Sequence, residues 1–373
     1  MILYLNSLLL TCLAVGSCLL EADLIPVQET LLDPQINLFS FRTYANKEKQ
    51  FSENAINKWT YYCLNISLGT PGQDCLVQLD SGSSDLWVPG IVIQPNGFNP
   101  DMSSSFRFIS RDFGINYVKS YASGFWASDT LSFPASLKSI PNQLLGVATG
   151  LPRSTSGILG LSPGGGETTV LHRMQTEGII ARRAYSIFLG GKEDKAGKVV
   201  FGGIDTSKFN RLVTLPLTDN ATYSVFLDSV SIEDYSSGAI EVILDTGTSL
   251  TYLPETIVDE IVNRFGAVYS PGLGMFVVQR YDPKKHPKEV VFRFGPVKIS
   301  MSIDELLWPL SYFTLQSSPA KVLTISSNQY SQGFNILGTS FLRNAYVIFE
   351  PDMERVQIGQ CVDKGGSDLV ALI

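Results

Sequence analysis

Residues 79–89 read Leu79-Asp80-Ser81-Gly82-Ser83-Ser84-Asp85-Leu86-Trp87-Val88-Pro89, and residues 244–254 read Leu244-Asp245-Thr246-Gly247-Thr248-Ser249-Leu250-Thr251-Tyr252-Leu253-Pro254. Leu, Asp, Gly, Ser and Pro coincide at five of the eleven positions, and the Ser/Thr, Trp/Tyr and Val/Leu differences keep chemical type. A lone Asp-Thr-Gly is a common turn and carries little weight. Here a second echo follows each copy: Gly157-Ile158-Leu159-Gly160-Leu161-Ser162 answers Asn335-Ile336-Leu337-Gly338-Thr339-Ser340. The offsets are 165 (245 − 80) and 178 (336 − 158), as two copies of one lobe with modest insertions require.

Around these motifs the chain reads as short apolar runs broken by turn residues. Tyr61–Leu68, Gly69-Thr70-Pro71-Gly72 and Gln73–Leu79 predict strand, tight turn, strand. Further strands are expected at Tyr185–Leu189, Lys198–Phe201, Tyr223–Val230, Ala239–Leu244, Val290–Phe294 and Ala345–Phe349, with helices at Thr169–Glu177, Glu255–Phe265 and Asp304–Leu307. The expectation is a mainly β chain, two lobes related by an approximate two-fold with a cleft between them.

Such an axis brings Asp80 and Asp245 together. Two carboxylates about 3 Å apart cannot both ionise cheaply, so they share a proton and supply an acid and a base at one point. Gly82 and Gly247 permit a tight loop whose N–H groups reach the carboxylates. Ser81 and Thr246 carry hydroxyls able to bond across the axis, and Ser83 and Thr248 can reach the outer carboxylate oxygens.

Composition leaves that chemistry open and closes others. The net charge is −7, from Lys+Arg 28 against Asp+Glu 35, with no basic run longer than two residues, so a nucleic-acid partner is not expected. The two histidines, His172 and His286, are far apart and read as surface residues. No HExxH, CxxC or EF-hand pattern occurs, so neither a metal nor another cofactor is expected.

Residues 2–20 are uncharged and mostly apolar, which suits a transmembrane anchor or a signal peptide. Small residues at Ala14, Gly16 and Ser17 favour the signal, placed at 1–20, with no membrane span after its removal. Residues 21–58 are polar and broken and contain Lys47, Lys49 and Lys58; they read as a solvated arm or a removable prosegment. The lobes are then 59–190 and 191–362, with a short tail at 363–373. Acceptor triplets at Asn65 and Asn220 fit a secretory route, although Asn65 falls in an expected strand. Outside the signal remain Cys63, Cys75 and Cys361, an odd number that allows three alternative pairings. The dibasic pairs Arg182-Arg183 and Lys284-Lys285 fall inside the expected folded body and read as surface pairs.

The stretches Leu68–Val88, Gly157–Ser162, Val242–Pro254 and Ile336–Ile358 make the chain from Trp59 to Gln360 resemble a pepsin-type aspartic protease, in particular the fungal yapsin and candidapepsin branch. The resemblance implies the bilobal pepsin-like acid protease fold and a deep cleft for extended polypeptide substrates. It also implies a zymogen whose basic prosegment covers the dyad, and hydrolysis at acid pH by a monomer that is secreted or sent to a vacuolar or lytic compartment. By matching, Tyr117 is the tyrosine of a β-hairpin flap that hydrogen-bonds Trp87, and Tyr121–Trp126 fits the descending flap strand.

The flap tip departs from the family. Val118-Lys119-Ser120 stands where a Gly-x-Gly turn is usual, and Lys119 opposes a preference for basic residues before the scissile bond. Ser81 replaces the commoner Thr and keeps the hydroxyl; Thr339 stands where many members have Asp, which leaves the pH optimum open. The altered tip motivates a second reading, a non-catalytic protein that binds peptides or partners through the same cleft. A two-carboxylate glycosidase would use a similar acid pair, but it leaves the duplicated Gly-turn motifs unexplained.

Overall fold

In a computed structural model, the described residues are 20–27, 61–117, 121–134, 138–150, 156–189, 197–314, 318–362 and 366–372, the first group by its backbone only. All but the last residue of the signal at 1–20, the prosegment lysines, the flap tip 118–120 and the 190/191 boundary lie outside them. The fold is mainly β, as expected, and consistent with the bilobal pepsin-like architecture.

Each repeat folds the same way. Strand Gln73–Asp80 runs parallel to Gly157–Gly160, pairing Leu79 with Leu159 and Asp80 with Gly160. In the second copy Ile240–Leu244 runs parallel to Ile336–Leu337, pairing Leu244 with Leu337. The strand after each motif closes back on the same echo. Leu86 and Trp87 lie antiparallel to Leu159 and Ile158, and Tyr252 lies antiparallel to Ile336. The echo glycines are required by this closeness: a Cβ at Gly160 would strike the backbone of Ser83–Asp85, and one at Gly338 the carbonyl oxygens of Thr248 and Leu250. The sequence duplication is thus a structural one, with each Asp at the end of a strand whose alternate residues are buried.

A 13-stranded sheet joins the halves. Its order begins Val213–Pro216, Arg355–Gln360, Ala345–Glu350, Tyr185–Phe188, Gly197–Phe201 and Leu20–Val27, and continues through Tyr61–Leu68 into the strands of the first repeat. Ala345–Glu350 is buried at every position, which fits a near-continuous apolar run covered on both faces. Leu20–Val27, the last residue of the expected signal followed by the start of the segment read as a prosegment, lies between two strands, with Leu24 opposite Gly197 and Ile25 opposite Cys63. The last strand, Leu369–Ala371, pairs with Gly203–Asp205.

The three expected helices form at Val170–Thr176, Glu255–Phe265 and Ile303–Leu306. Glu255–Phe265 turns Ile257, Val258, Ile261 and Phe265 inward at three- and four-residue spacing and ends at Gly266 in the left-handed conformation. One expected strand is divided: Tyr223–Val230 becomes Ser224–Leu227 and Ser229–Ile232. The first half pairs with Ile240–Leu244 and the second with Glu289–Phe294, so the chain changes sheets at Asp228, whose N–H bonds the Arg293 carbonyl at 2.9 Å.

Candidate active site

The two Asp loops meet face to face. The Ser81 N–H donates to Thr246 Oγ1 at 2.9 Å, and the Thr246 N–H donates to Ser81 Oγ at 2.9 Å. Each hydroxyl then donates onward across the axis, Ser81 to the Leu244 carbonyl at 2.9 Å and Thr246 to the Leu79 carbonyl at 2.8 Å. Both residues are fully buried. Four reciprocal bonds among buried groups, each costly to leave unmade, fix how the halves meet.

Above this crossing stand Asp80 and Asp245, each carboxylate set against the glycine of the opposite loop. Gly82 N–H donates to Asp80 Oδ1 at 2.9 Å and Gly247 N–H to Asp245 Oδ1 at 2.7 Å. Ser83 Oγ donates to Asp80 Oδ2 at 2.5 Å and Thr248 Oγ1 to Asp245 Oδ2 at 2.6 Å. The glycines also make room across the axis. A Cβ at Gly82 would lie 2.7 Å from Asp245 Oδ1, and one at Gly247 would run into the Asp80 carboxylate. Burial, followed by the Asp245 charge, raises the Asp80 pKa well above the ordinary carboxylate range, against the opposing hydrogen bonds from Ser83 and Gly82. The pair can therefore hold a proton on one carboxyl while the other accepts one.

Trp87 Nε1 donates to the Tyr117 hydroxyl at 2.7 Å. Burial, followed by the Asp80 charge, raises the pKa of that tyrosine well above its ordinary value. Trp87 belongs to a separate apolar cluster with Phe113, Ala122 and Ala148, against which Ile93, Ile115, Tyr117, Trp126 and Ile158 pack. Phe113 and Trp126 meet edge to face at 4.9 Å. The hairpin strands Arg107–Asn116 and Tyr121–Ser132 thus bring an apolar wall beside Asp80. Lys119 lies outside the described residues.

Below the dyad, the Tyr223 hydroxyl donates to the Leu161 carbonyl at 3.0 Å, and the buried Tyr185 ring stacks on Phe349 at 4.6 Å. Gln78 was not singled out by the sequence reading, yet its side chain reaches the second Asp loop, donating to the Gly247 carbonyl at 2.8 Å. The available signal was a polar residue two places before Asp80, where the second repeat has Ile243. Of the acceptor triplets, Asn65 is exposed within the paired strand Tyr61–Leu68, and Asn220 is exposed in a bend. No cluster of potential metal ligands occurs among the described residues.

The family pattern of the eukaryotic aspartyl proteases matches residues 61–361. The chain belongs to the eukaryotic aspartyl protease family. It is similar to candidapepsin-3 of Candida albicans (strain WO-1), at 29% identity across 96% of this chain and 93% of that one. It is also similar to secreted aspartic protease 6 of Candida albicans, at 31% identity over 85% of this chain and 80% of that one. A third relative is the probable aspartic-type endopeptidase opsB of Aspergillus fumigatus, at 31% identity over 83% of this chain and 70% of that one. This aspartyl protease is accordingly an aspartic-type endopeptidase, and polypeptides are its substrates.

Proposed function

We propose that this endopeptidase cleaves extended polypeptides at acid pH with a water molecule activated between Asp80 and Asp245. The observation that carries the reading is the crossed Ser81–Thr246 bonding, which sets the two Asp loops face to face with each carboxylate against the other loop's glycine. The pair shares one proton. The ionised carboxylate takes a proton from water as the oxygen attacks the peptide carbonyl, and the protonated carboxyl donates to the carbonyl oxygen. The tetrahedral diol then collapses: the carboxyl that took the water proton passes it to the departing nitrogen, the C–N bond breaks, and a diol proton returns to the other carboxylate. Tyr117, held by Trp87, and the apolar cluster beside it press an extended substrate towards the pair.

The second lobe supplies its half of the site through Thr246, Gly247 and Thr248, so one substrate spans both lobes. Residues 21–58 act as a prosegment, with Lys47, Lys49 and Lys58 as cations for the acidic cleft before maturation. The relatives named secreted, with the apolar leader, support entry into the secretory pathway and delivery outside the cell or to a lytic compartment. Asn220, exposed in a bend, suits glycosylation better than Asn65, which a strand holds. The enzyme works as a monomer.

The test is hydrolysis of a denatured protein between pH 3 and 7, with and without pepstatin, for the mature enzyme and Asp80→Asn. Acid-optimal, pepstatin-blocked cleavage that falls at least about 10³-fold in the variant is expected, on the scale of losing one essential group of a catalytic unit. Undiminished cleavage by Asp80→Asn would remove the dyad from the mechanism. Peptide mapping of the same digest reports on Lys119: cuts after Lys or Arg should be under-represented, and a profile dominated by them refutes that role. The non-catalytic reading requires bound pepstatin with no turnover.

A further inference from the structure

Gln78 lies two residues before Asp80 on strand Gln73–Asp80, half-buried between the fully buried Val77 and Leu79. Alternation along the strand puts it on the same face as Asp80. Its Nε2 donates to the Gly247 carbonyl across the junction of the two repeats. A carbonyl only accepts, so this contact fixes which end of the amide faces the loop. Gly247 in turn donates its own N–H to Asp245 Oδ1. One residue of the second loop is thereby held at its carbonyl by the first repeat while its N–H holds the carboxylate.

The two-fold has no matching bond on the other side. The repeat offset of 165 places Ile243 opposite Gln78 (78 + 165 = 243), and an isoleucine side chain donates nothing. A side-chain tether has a physical use at either loop, and among the described residues only the second loop has one. Gly247 admits no Cβ because the Asp80 carboxylate occupies that space, and a glycine left to itself has the widest conformational freedom of any residue. We propose that Gln78 is a positioning residue for hydrolysis: its amide pins the Gly247 turn, so that Asp245 stands at a fixed place and angle against Asp80. The inference rests on the dyad reading and adds to it an asymmetric tether that the duplication does not supply. Misplacement of a reacting group raises the barrier more than it weakens substrate binding, so the effect belongs in kcat.

The experiment compares wild type, Gln78→Met and Gln78→Glu on an internally quenched peptide from pH 3 to 6, with Asp80→Asn as the control. Methionine keeps the unbranched shape and removes the donor. A protonated glutamic acid restores a donor, whereas an ionised one has none and faces Asp80 on its own strand and Asp245 on the loop. Gln78→Met should lower kcat about five- to tenfold with KM within about twofold, the size of one neutral hydrogen bond. Gln78→Glu should match wild type near pH 3 and fall to or below Gln78→Met by about pH 5.5, above the ordinary glutamate range. A Gln78→Met kcat within about twofold of wild type, or Gln78→Glu tracking Gln78→Met at every pH, overturns the positioning role. If Gln78→Met does not fold, the pH profile of Gln78→Glu against wild type decides alone. Turnover that survives in Asp80→Asn would instead overturn the dyad reading, so the two failures are distinguishable.

Discussion

Under the proposed mechanism, Asp80 links catalysis to folding through one proton. Its folded pKa lies above the ordinary value because burial and the Asp245 charge disfavour the anion. The folded chain therefore keeps a proton that the unfolded chain releases once pH passes the ordinary aspartate value of about 4. The stability this group contributes is full at acid pH and is lost as pH rises from that value through the folded pKa. The melting temperature of the mature enzyme should fall across that window, and Asp80→Asn, which cannot ionise, should show a flatter profile. Parallel melting curves for the two proteins from pH 3 to 7.5 would contradict this account. The residues around the pair were readable as types, since hydroxyls at 81, 83, 246 and 248 each need a partner when buried. Gln78 was not readable in this way, because a glutamine before a motif says nothing about which carbonyl it meets.

At the scale of elements, the end of the buried strand Ala345–Glu350 illustrates the opposite pH sense. Arg355 donates to both Glu350 oxygens, at 2.8 and 3.0 Å, Gln357 donates at 2.8 Å, and Arg182 stands 3.6 Å away. Burial alone would raise the Glu350 pKa; the bonds from Arg355 and Gln357 and the two arginine charges outweigh it and hold the carboxyl below its usual range. This stability is present above the ordinary glutamate range and is lost as pH falls through the folded pKa. Glu350→Gln should cost about 1–3 kcal/mol at pH 7, a modest figure because both arginines are partly solvated. The gap to wild type should shrink at pH 3; urea titrations at both pH values measure it, and an equal gap would refute the pairing as its cause. Strands and helices near this sheet were legible from apolar runs and turn residues. The break at Asp228 was not, because Tyr223–Val230 has the same local pattern whether it serves one sheet or two.

At the scale of the whole molecule, charge and packing join the two halves. Cys63, Cys75 and Cys361 form no disulfide with one another, so none of the three pairings left open by the sequence is made. Burial, followed by the Asp74 charge, pushes the Cys75 thiol up to about 12, where it stays protonated and inert. The halves are instead joined by one hydrophobic core running through both repeats and by the buried Arg343, which bonds the Tyr62 hydroxyl at 2.7 Å and Glu305 at 3.3 Å. Millimolar dithiothreitol should leave the melting temperature of the mature enzyme within about 2 °C, against the 2–5 kcal/mol that loss of a native bridge typically costs. A larger drop, read by scanning calorimetry, would reveal a covalent link.

The sequence by itself determined the duplication, the β class, the two aspartates and the hydroxyls that attend them. These were legible because a repeated motif constrains two places at once, and an axis relating them forces equivalent residues together. The family followed from the same residues. Only the tertiary structure decided the side chains that act from outside the repeat: Gln78 on the Gly247 carbonyl, Tyr223 on Leu161, and Arg343 between Tyr62 and Glu305. Each joins residues far apart in the chain whose neighbours give no local sign of the contact. Such pairings depend on how two packed lobes meet, and local periodicity carries no record of that geometry.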